Sequence, residues 1–332
     1  MQLPHPRGPL SAAVITTVSG GVGVLPIGVV PPEDVLGDDD LQLALWVLYE
    51  LHYRGFDGVD DGWEWDPDLL RLRRELESAL LATLRETVVV PPDDRRVADR
   101  LRTLVESDDG PSLSRFMQTR ADSRQWAQFA AHRSIYQLKE ADPHTWAMPR
   151  LPATVKSALL EIQIDEYGGG NTAQMHSELF RVTLDELGLR SDYGGYVDAV
   201  PGITLALTNV MSLFGLHRGL RGALVGHLAA YEMTSSEPCR RYARGLRRLG
   251  ASEAACTFYD VHVTADALHE QVAAHDLCGG LAAAEPELTE DIVFGAAACL
   301  AVDVRFAEHV LGCWSAGRSS LRTADDPLLA VS

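Results

Sequence analysis

The sequence has few basic residues and few cysteines, and each shortage excludes a class of protein. Of its 332 residues, 47 are acidic and 29 are basic, which gives a formal net charge of −18. Because nucleic acids and anionic membranes attract basic surfaces, we expect neither as a partner. The five cysteines form no Cys-x-x-Cys pair. They therefore predict reduced thiols in a cytoplasmic protein rather than a disulfide framework or a zinc finger.

Motifs that bind nucleotides are also missing, and a helical pattern takes their place. The chain contains no P-loop, no Rossmann fingerprint and no alternation of strands with helices. Its composition is 46% hydrophobic, and the apolar residues recur at helical spacing almost everywhere. One clear stripe consists of Leu69, Leu72, Leu76, Leu80 and Leu84. The sequence therefore predicts an all-α fold.

The first 110 residues carry no chemistry that the sequence identifies. No charged residue occurs from Gly8 to Pro32, so a signal peptide or membrane anchor has to be considered. Glycines, prolines and hydroxyl groups interrupt that stretch, and we expect residues 1–36 to be an irregular leader packed on the body. Residues 37–110 are predicted to be a helical extension that covers the rest of the protein or forms a homodimer interface.

Further helices are predicted between residue 113 and residue 314. They cover residues 113–140, 153–187 with an interruption, 216–234, 238–249, 257–277 and 287–314. The break between 234 and 238 rests on Ser235, Ser236 and Pro238, which favour the end of one helix and the start of the next.

Three polar residues, His262, Asp266 and His269, line one stripe of a predicted helix that is otherwise apolar. Their i, i+4, i+7 spacing places them within about 60° of one another and over about 10.5 Å of the helix axis. That span suits two metal ions better than one, and imidazole with carboxylate is a ligand set for iron, manganese or zinc. The alternative is a solvated polar face, although the apolar neighbours favour a buried stripe.

A second pair of candidate ligands, Glu166 and His176, flanks three consecutive glycines, Gly168–Gly170. On an unbroken helix the pair would lie about 15 Å apart. Three glycines inside a helix would cost about 1 kcal/mol each relative to alanine. They therefore predict local unwinding that could bring the two side chains together, and the alternative is an ordinary break between two helices.

Two more glutamates lie near predicted helix ends. Glu232 ends an Ala/Gly/Leu segment, so it is either at the exposed end of that helix or a metal ligand. Glu140 precedes Pro143 and lies 26 residues before Glu166. Its alternative interpretation is a water-exposed residue at a helix C-terminus.

Taken together, the segments DEYGGGNTAQMH, HLAAYE and FYDVHVTADALH resemble the heme-oxygenase-like diiron oxidases and oxygenases over residues 112–314. The resemblance implies a heme-oxygenase-like helical bundle over residues 111–318, followed by a tail, 319–332. It also implies that two Fe ions are bound by Glu166, His176, Glu232, His262, Asp266 and His269. A ferritin-like site is disfavoured, because such sites use two Glu-x-x-His pairs and the candidate set has only Asp266-x-x-His269.

The position of Glu140 resembles that of an extra carboxylate in the N-oxygenating branch of this family. The resemblance thus implies Glu140 as a seventh ligand, so that four carboxylates balance two Fe(II) ions. It further implies Fe2+/Fe3+ cycling, O2 as cosubstrate and an external electron donor. The expected substrate is a small amine, such as an amino-heterocycle, a guanidine or an amino-acid side-chain amine. It would be oxidised toward a hydroxylamine, nitroso or nitro product in specialised metabolism.

Two other functions remain open at this point. One is oxidative cleavage of C–C or C–H bonds in an amino or fatty acid, as in the alkene-forming or desaturase type. The other is a non-catalytic helical binding protein that has kept the fold.

Two further residues are candidates for contact with a ligand carboxylate or with substrate. Tyr259 lies one helical turn before His262 and could donate a hydrogen bond there, or it is a core aromatic residue. Arg305 flanks an apolar stripe and could receive a substrate carboxylate. Its alternative is a structural ion pair with Asp303 or Glu308.

Overall fold

The computed structural model describes residues 1–88, 90 and 93–322, without the side chains of residues 265–267. Within this part of the chain every regular element is helical, which confirms the predicted all-α fold. The α-helices are α1 (Pro9–Val18), α2 (Asp39–Glu50), α3 (Pro67–Thr87), α4 (Val97–Glu106), α5 (Leu113–Thr119), α6 (Ser123–Gln137), α7 (Asp142–Thr145), α8 (Ala153–Glu166), α9 (His176–Glu186), α10 (Gly202–Leu216), α11 (Arg221–Arg248), α12 (Glu253–Gln271), α13 (Gly280–Ala284) and α14 (Thr289–Ser315). A π-helical segment, Val272–Gly279, continues α12.

Helix α11 is the centre of the bundle and packs against α5, α12 and α14. Two glycines allow α11 and α14 to approach closely. A Cβ at Gly226 would overlap the carbonyl oxygen of Ile292, and one at Gly295 would overlap that of Ala223. Any larger residue at either position would push the two helices apart, because close-packed interiors leave no room for an added methyl group.

The predicted break at Ser235, Ser236 and Pro238 is wrong, because α11 runs through it without interruption. A proline inside a helix removes one hydrogen bond and costs roughly 3 kcal/mol. The second half of α11 offsets this cost by burying residues such as Tyr242 and Leu246. Glu232 consequently lies in the middle of a long helix and is buried, rather than exposed at a helix end.

Other predicted helix boundaries also change. The predicted helix over residues 113–140 is two helices, and α6 begins anew because Asp122 and Gln125 form a capping box at its N-terminus. Helix α10 was not predicted. Nearly all of its residues are buried, so its sequence lacks the alternation of apolar and polar faces that marks an amphipathic helix.

The leader over residues 1–36 is only partly irregular, because it contains α1. The carboxylate of Asp40 accepts hydrogen bonds from the backbone N–H groups of Leu10, at 2.9 Å, and Ser11, at 2.7 Å. This stabilises the first turn of α1, and a partner 30 residues away is invisible to local sequence pattern. Among the residues described, no helix has both the length and the apolar character that crossing a membrane requires.

The N-terminal helices are tied to the bundle by a buried ion pair. Glu50, at the end of α2, pairs with Lys139, and both side chains are at most 1% exposed. The hydroxyl group of Tyr193 donates a hydrogen bond of 2.7 Å to the other oxygen of Glu50. Lys139 directly precedes Glu140, and Ala141 follows with a positive φ of 73°. The backbone around Glu140 is therefore held in an uncommon conformation by its surroundings.

Candidate metal centre

Six of the predicted ligands come together in the bundle as two groups that share one carboxylate. Within each group, every residue offers one nitrogen or oxygen atom, and these atoms lie within 4.8 Å of one another. The first group is Glu140, Glu166, His176 and His262, and the second is Glu166, Glu232 and His269. Because Glu166 belongs to both groups, its carboxylate lies where it could bridge two metal ions.

The glycine segment brings Glu166 and His176 together, which confirms the predicted unwinding. Gly168, Gly169 and Gly170 all have positive φ values, of 63°, 61° and 83°. Residues with a side chain rarely adopt this conformation. Helix α8 therefore ends at Glu166, α9 begins at His176, and Nδ1 of His176 lies 3.0 Å from Oε2 of Glu166.

Helix α12 fixes the orientation of His262. Its Nδ1–H group donates a hydrogen bond of 2.7 Å to the carbonyl oxygen of Phe258, one turn earlier. This places the lone pair of the imidazole on Nε2, which lies 3.6 Å from Oε1 of Glu140. A metal-binding histidine commonly donates its other ring N–H to a carbonyl or carboxylate in this way.

His269 is oriented by Asp165, a residue that the sequence analysis missed. Nε2 of His269 donates to Oδ2 of Asp165 at 3.0 Å, while Nδ1 lies 3.3 Å from Oε2 of Glu232. Burial opposes the charged imidazolium, but Glu232, Asp165 and Glu166 outweigh it and raise the pKa of His269 to about 9. A second carboxylate immediately before Glu166 was the available signal, since carboxylates often support metal-bound histidines.

The two carboxylates of the first group differ in their proton affinity. Burial raises the pKa of Glu140. Burial would also raise the pKa of Glu166, but the adjacent His176 outweighs it and lowers that pKa. Both side chains are about nine-tenths buried, and charges at such depth are stable only when they are paired or coordinate a metal.

The donor atoms of the first group fit a metal ion. Oε2 of Glu140 is buried without a hydrogen-bond partner among the described residues, whereas Nδ1 of His176 has Oε2 of Glu166 at 3.0 Å. Leaving a buried polar atom unsatisfied costs about 1–3 kcal/mol, and coordination to a cation would remove that cost. Oxygen and imidazole nitrogen donors together suit iron.

The remaining candidate ligand, Asp266, has a side chain that lies outside the described residues. Its backbone is helical, one turn after His262 and three residues before His269.

Of the two residues predicted to contact a ligand carboxylate or substrate, Tyr259 lies at the cavity and Arg305 does not. Tyr259 lines the cavity described below, and its buried hydroxyl group has no hydrogen-bond partner in the part of the chain that the structure describes. Arg305 was a candidate for binding substrate, and this prediction is wrong. Its guanidinium donates to Asp34 at 2.9 Å and is 44% exposed. Residues 299, 303 and 307 of α14 face the cavity, and Arg305 lies on the other side of that helix.

A cavity of about 340 Å³ adjoins the first group of candidate ligands. Glu140, Glu166 and His262 contribute to its wall, together with Arg133 of α6 and Asp303 of α14. Arg133 is another residue that the sequence analysis missed. It shares one face of α6 with Phe129 and Tyr136, at i−4 and i+3, and that spacing was a signal that could have identified it.

Comparison with known proteins identifies the class of protein. Residues 127–304, more than half of the chain, match the family model of iron-containing redox enzymes. The chain therefore belongs to this family of iron-containing oxidoreductases, which confirms the resemblance to the heme-oxygenase-like enzymes. The all-α architecture is the helical bundle expected for them.

The chain is also similar to a particular enzyme, nitrosourea synthase from Streptomyces achromogenes subsp. streptozoticus. The two are 27% identical over 196 residues. This match covers 58% of the chain and 41% of the relative. The chain thus spans about two fifths of the length of the curated relative that it matches.

Proposed function

We propose that the protein is a diiron N-oxygenase. It binds two iron ions at the two groups that share Glu166 and uses O2 with an external electron donor. Its substrate is a small amine, namely an amino-heterocycle, a guanidine or an amino-acid side-chain amine. The nitrogen is oxidised toward a hydroxylamine, nitroso or nitro product.

The position of Glu140 is the observation that carries this proposal. The carboxylate belongs to the first group with Glu166, His176 and His262, as expected for the N-oxygenating branch. It reaches the site although it lies outside the regular part of α6. The similarity to nitrosourea synthase supports the same assignment, since the name of that protein describes an N-nitroso product.

Some residues of the chain would bind the metal ions, and others would form the wall of the cavity. Two bound iron ions would supply the electrons and coordination positions at which O2 is activated. Glu166 would hold both ions at a fixed separation. Asp165 would keep Nε2 of His269 protonated, so that Nδ1 faces the second ion. The aromatic wall, which includes Phe129, Phe258 and Tyr259, would exclude water from the reacting nitrogen.

An anaerobic Fe(II) titration tests the metal content of the proposal. We expect about two equivalents per chain, and fewer in the Glu140→Gln variant, which removes a negative oxygen donor. Glu161→Gln provides a control, because Glu161 is exposed on α8 and should bind iron as the wild type does. Failure of the wild type to bind about two equivalents would contradict a diiron site and favour a binding protein without catalysis.

The reaction itself is tested with isotopically labelled O2. Reduced, iron-loaded protein is mixed with labelled O2 and a panel of amines, and the products are analysed by mass spectrometry. Label on nitrogen is the expected result. Label on carbon, or an alkene product, would overturn the N-oxygenase assignment and favour the C–C or C–H cleaving alternative.

A further inference from the structure

The cavity beside the candidate metal centre contains a charged pair that the proposed chemistry does not use. Helix α6 lines the cavity with Phe129, Arg133, Tyr136 and Gln137, and Glu140 follows on the same side. Arg133 is on α6, whereas Glu140 lies in the turn that follows the end of this helix at Gln137. The wall of the cavity thus carries a cation and a candidate metal ligand at separate positions.

Arg133 is held in place from two sides. Nη2 donates a hydrogen bond of 3.1 Å to Oδ1 of Asp303 on α14. The guanidinium carbon lies 4.9 Å from the ring centroid of Phe306 and 5.5 Å from that of Phe129. Its side chain is 18% exposed. Such packing fixes the guanidinium before any ligand arrives, so little conformational entropy is lost on binding.

The second cation of the cavity wall is engaged differently. Arg241 is bound to Glu237 at 3.1 Å and to Ser112 and Ser114 at 3.4 and 3.3 Å. Arg133 has five N–H donors; one of them binds Oδ1 of Asp303, and the hydroxyl group of Tyr242 lies close enough to interact with the guanidinium. Since Arg133 lines the cavity, it is the cation better placed to bind a ligand there.

We propose that Arg133, positioned by Asp303, binds a carboxylate group of the substrate. A guanidinium matches the planar geometry of a carboxylate with two parallel hydrogen bonds. A phosphate dianion would fit less well, because Asp303 already neutralises the cation. This inference rests on the proposed function, and it restricts the substrate to amines that also carry a carboxylate.

Calorimetric titrations of the iron-free protein test the proposal without relying on turnover. The probes are L-lysine, L-ornithine and L-arginine, each compared with its decarboxylated counterpart, cadaverine, putrescine or agmatine. We expect at least one amino acid to bind and its counterpart to bind more weakly. Charge-assisted hydrogen bonds contribute about 1.5–3 kcal/mol, so Arg133→Gln should weaken binding of the amino acid by roughly ten- to hundred-fold. Binding of the counterpart should be unaffected.

Two further variants separate ligand binding from a purely structural role. Arg133→Lys keeps the charge without the planar pair of donors and should restore part of the affinity. Arg305→Gln is the matched control, because it removes an exposed ion pair from the same helix that carries Asp303, and it should leave binding unchanged. Circular dichroism checks that each variant is folded.

Each remaining outcome decides between the proposals. The carboxylate site is overturned if none of the amino acids binds, or if Arg133→Gln weakens both members of a pair equally. N-oxygenation of a decarboxylated amine as efficient as that of its amino acid would also overturn it while leaving the proposed function intact. Binding of an amino acid that depends on Arg133, without any N-oxygenated product, would keep the carboxylate site and contradict the proposed function.

Discussion

Replacing single glycines between α8 and α9 by alanine should separate the cost of backbone strain from the loss of the metal site. Gly168 and Gly169 have nearly the same φ, 63° and 61°, but different surroundings. A Cβ at Gly168 would lie 2.5 Å from the backbone carbon of Gln174 and 2.6 Å from the nitrogen of Met175. A Cβ at Gly169 would have no heavy atom within 4 Å. Both substitutions therefore place a Cβ in a left-handed conformation, and only Gly168→Ala adds an overlap with neighbouring backbone atoms.

The shared cost is that of a left-handed conformation, which is about 1–2 kcal/mol for a residue with a Cβ. Alanine recovers about 0.4–1 kcal/mol of this by reducing the freedom of the unfolded chain. We expect Gly169→Ala to lower the free energy of unfolding by about 1 kcal/mol. Gly168→Ala adds overlap with backbone, typically about 1–3 kcal/mol, for a total of roughly 2–4 kcal/mol.

The overlap at Gly168 should also displace a candidate metal ligand. The chain from Gln174 would have to move, and His176 follows it by two residues, so the contact between His176 and Glu166 would lengthen. Urea denaturation measures the stability of each variant, and anaerobic Fe(II) titration measures its iron content. Gly169→Ala should bind iron as the wild type does, whereas Gly168→Ala should lose about one equivalent. Equal stability or equal iron content in the two variants would refute this account.

Three other predictions concern different parts of the molecule. Asp165→Asn should weaken Fe(II) binding by about 10–100-fold, because the variant holds the imidazole of His269 less firmly, and an unchanged titration curve would contradict this role. Burial lowers the pKa of His132 well below 6.5, so the unfolded chain gains a proton before the folded protein does. Stability should consequently fall below pH 6.5, by up to about 1.4 kcal/mol per pH unit from this residue, and urea denaturation of His132→Gln should show a shallower decline than the wild type. Lys139→Met should cost about 3–5 kcal/mol of unfolding free energy, because it leaves Glu50 buried without its cation. Adding Glu50→Gln should recover much of that loss, and a double variant no more stable than Lys139→Met would contradict the role of the ion pair.

Part of the candidate site could be predicted from local signals, whereas the complete set of ligands was implied by the family resemblance. His262 and His269 share a helical stripe, and the three glycines after Glu166 predict an interruption of the helix, because glycine is unfavourable inside one. These features depend on backbone geometry over a few residues, so the sequence alone carries them. The side chain of Asp266 lies outside the described residues, and its role stays a prediction.

What could not be predicted depends on contacts between distant segments. Asp40 stabilises the start of α1 from another helix, and Asp165 is informative only once α8 is known to face His269. Pro238 misled the boundary of α11 because burial in the second half of that helix outweighs a local penalty. Arg305 was a candidate because a pattern of apolar residues does not show which side of α14 faces the cavity.

The buried pair of Glu50 and Lys139 has a consequence for how the chain can be divided. The match to the iron-containing redox enzymes begins at residue 127, yet the residue beside Glu140 depends on a carboxylate 89 positions earlier. A fragment restricted to residues 127–304 would leave the ammonium group of Lys139 without the carboxylate of Glu50. During synthesis, likewise, α2 is made before Lys139, so the ion pair of Glu50 can form only after the later residue has been added. We therefore expect the first hundred residues, supplied as a separate peptide, to restore iron binding to such a fragment.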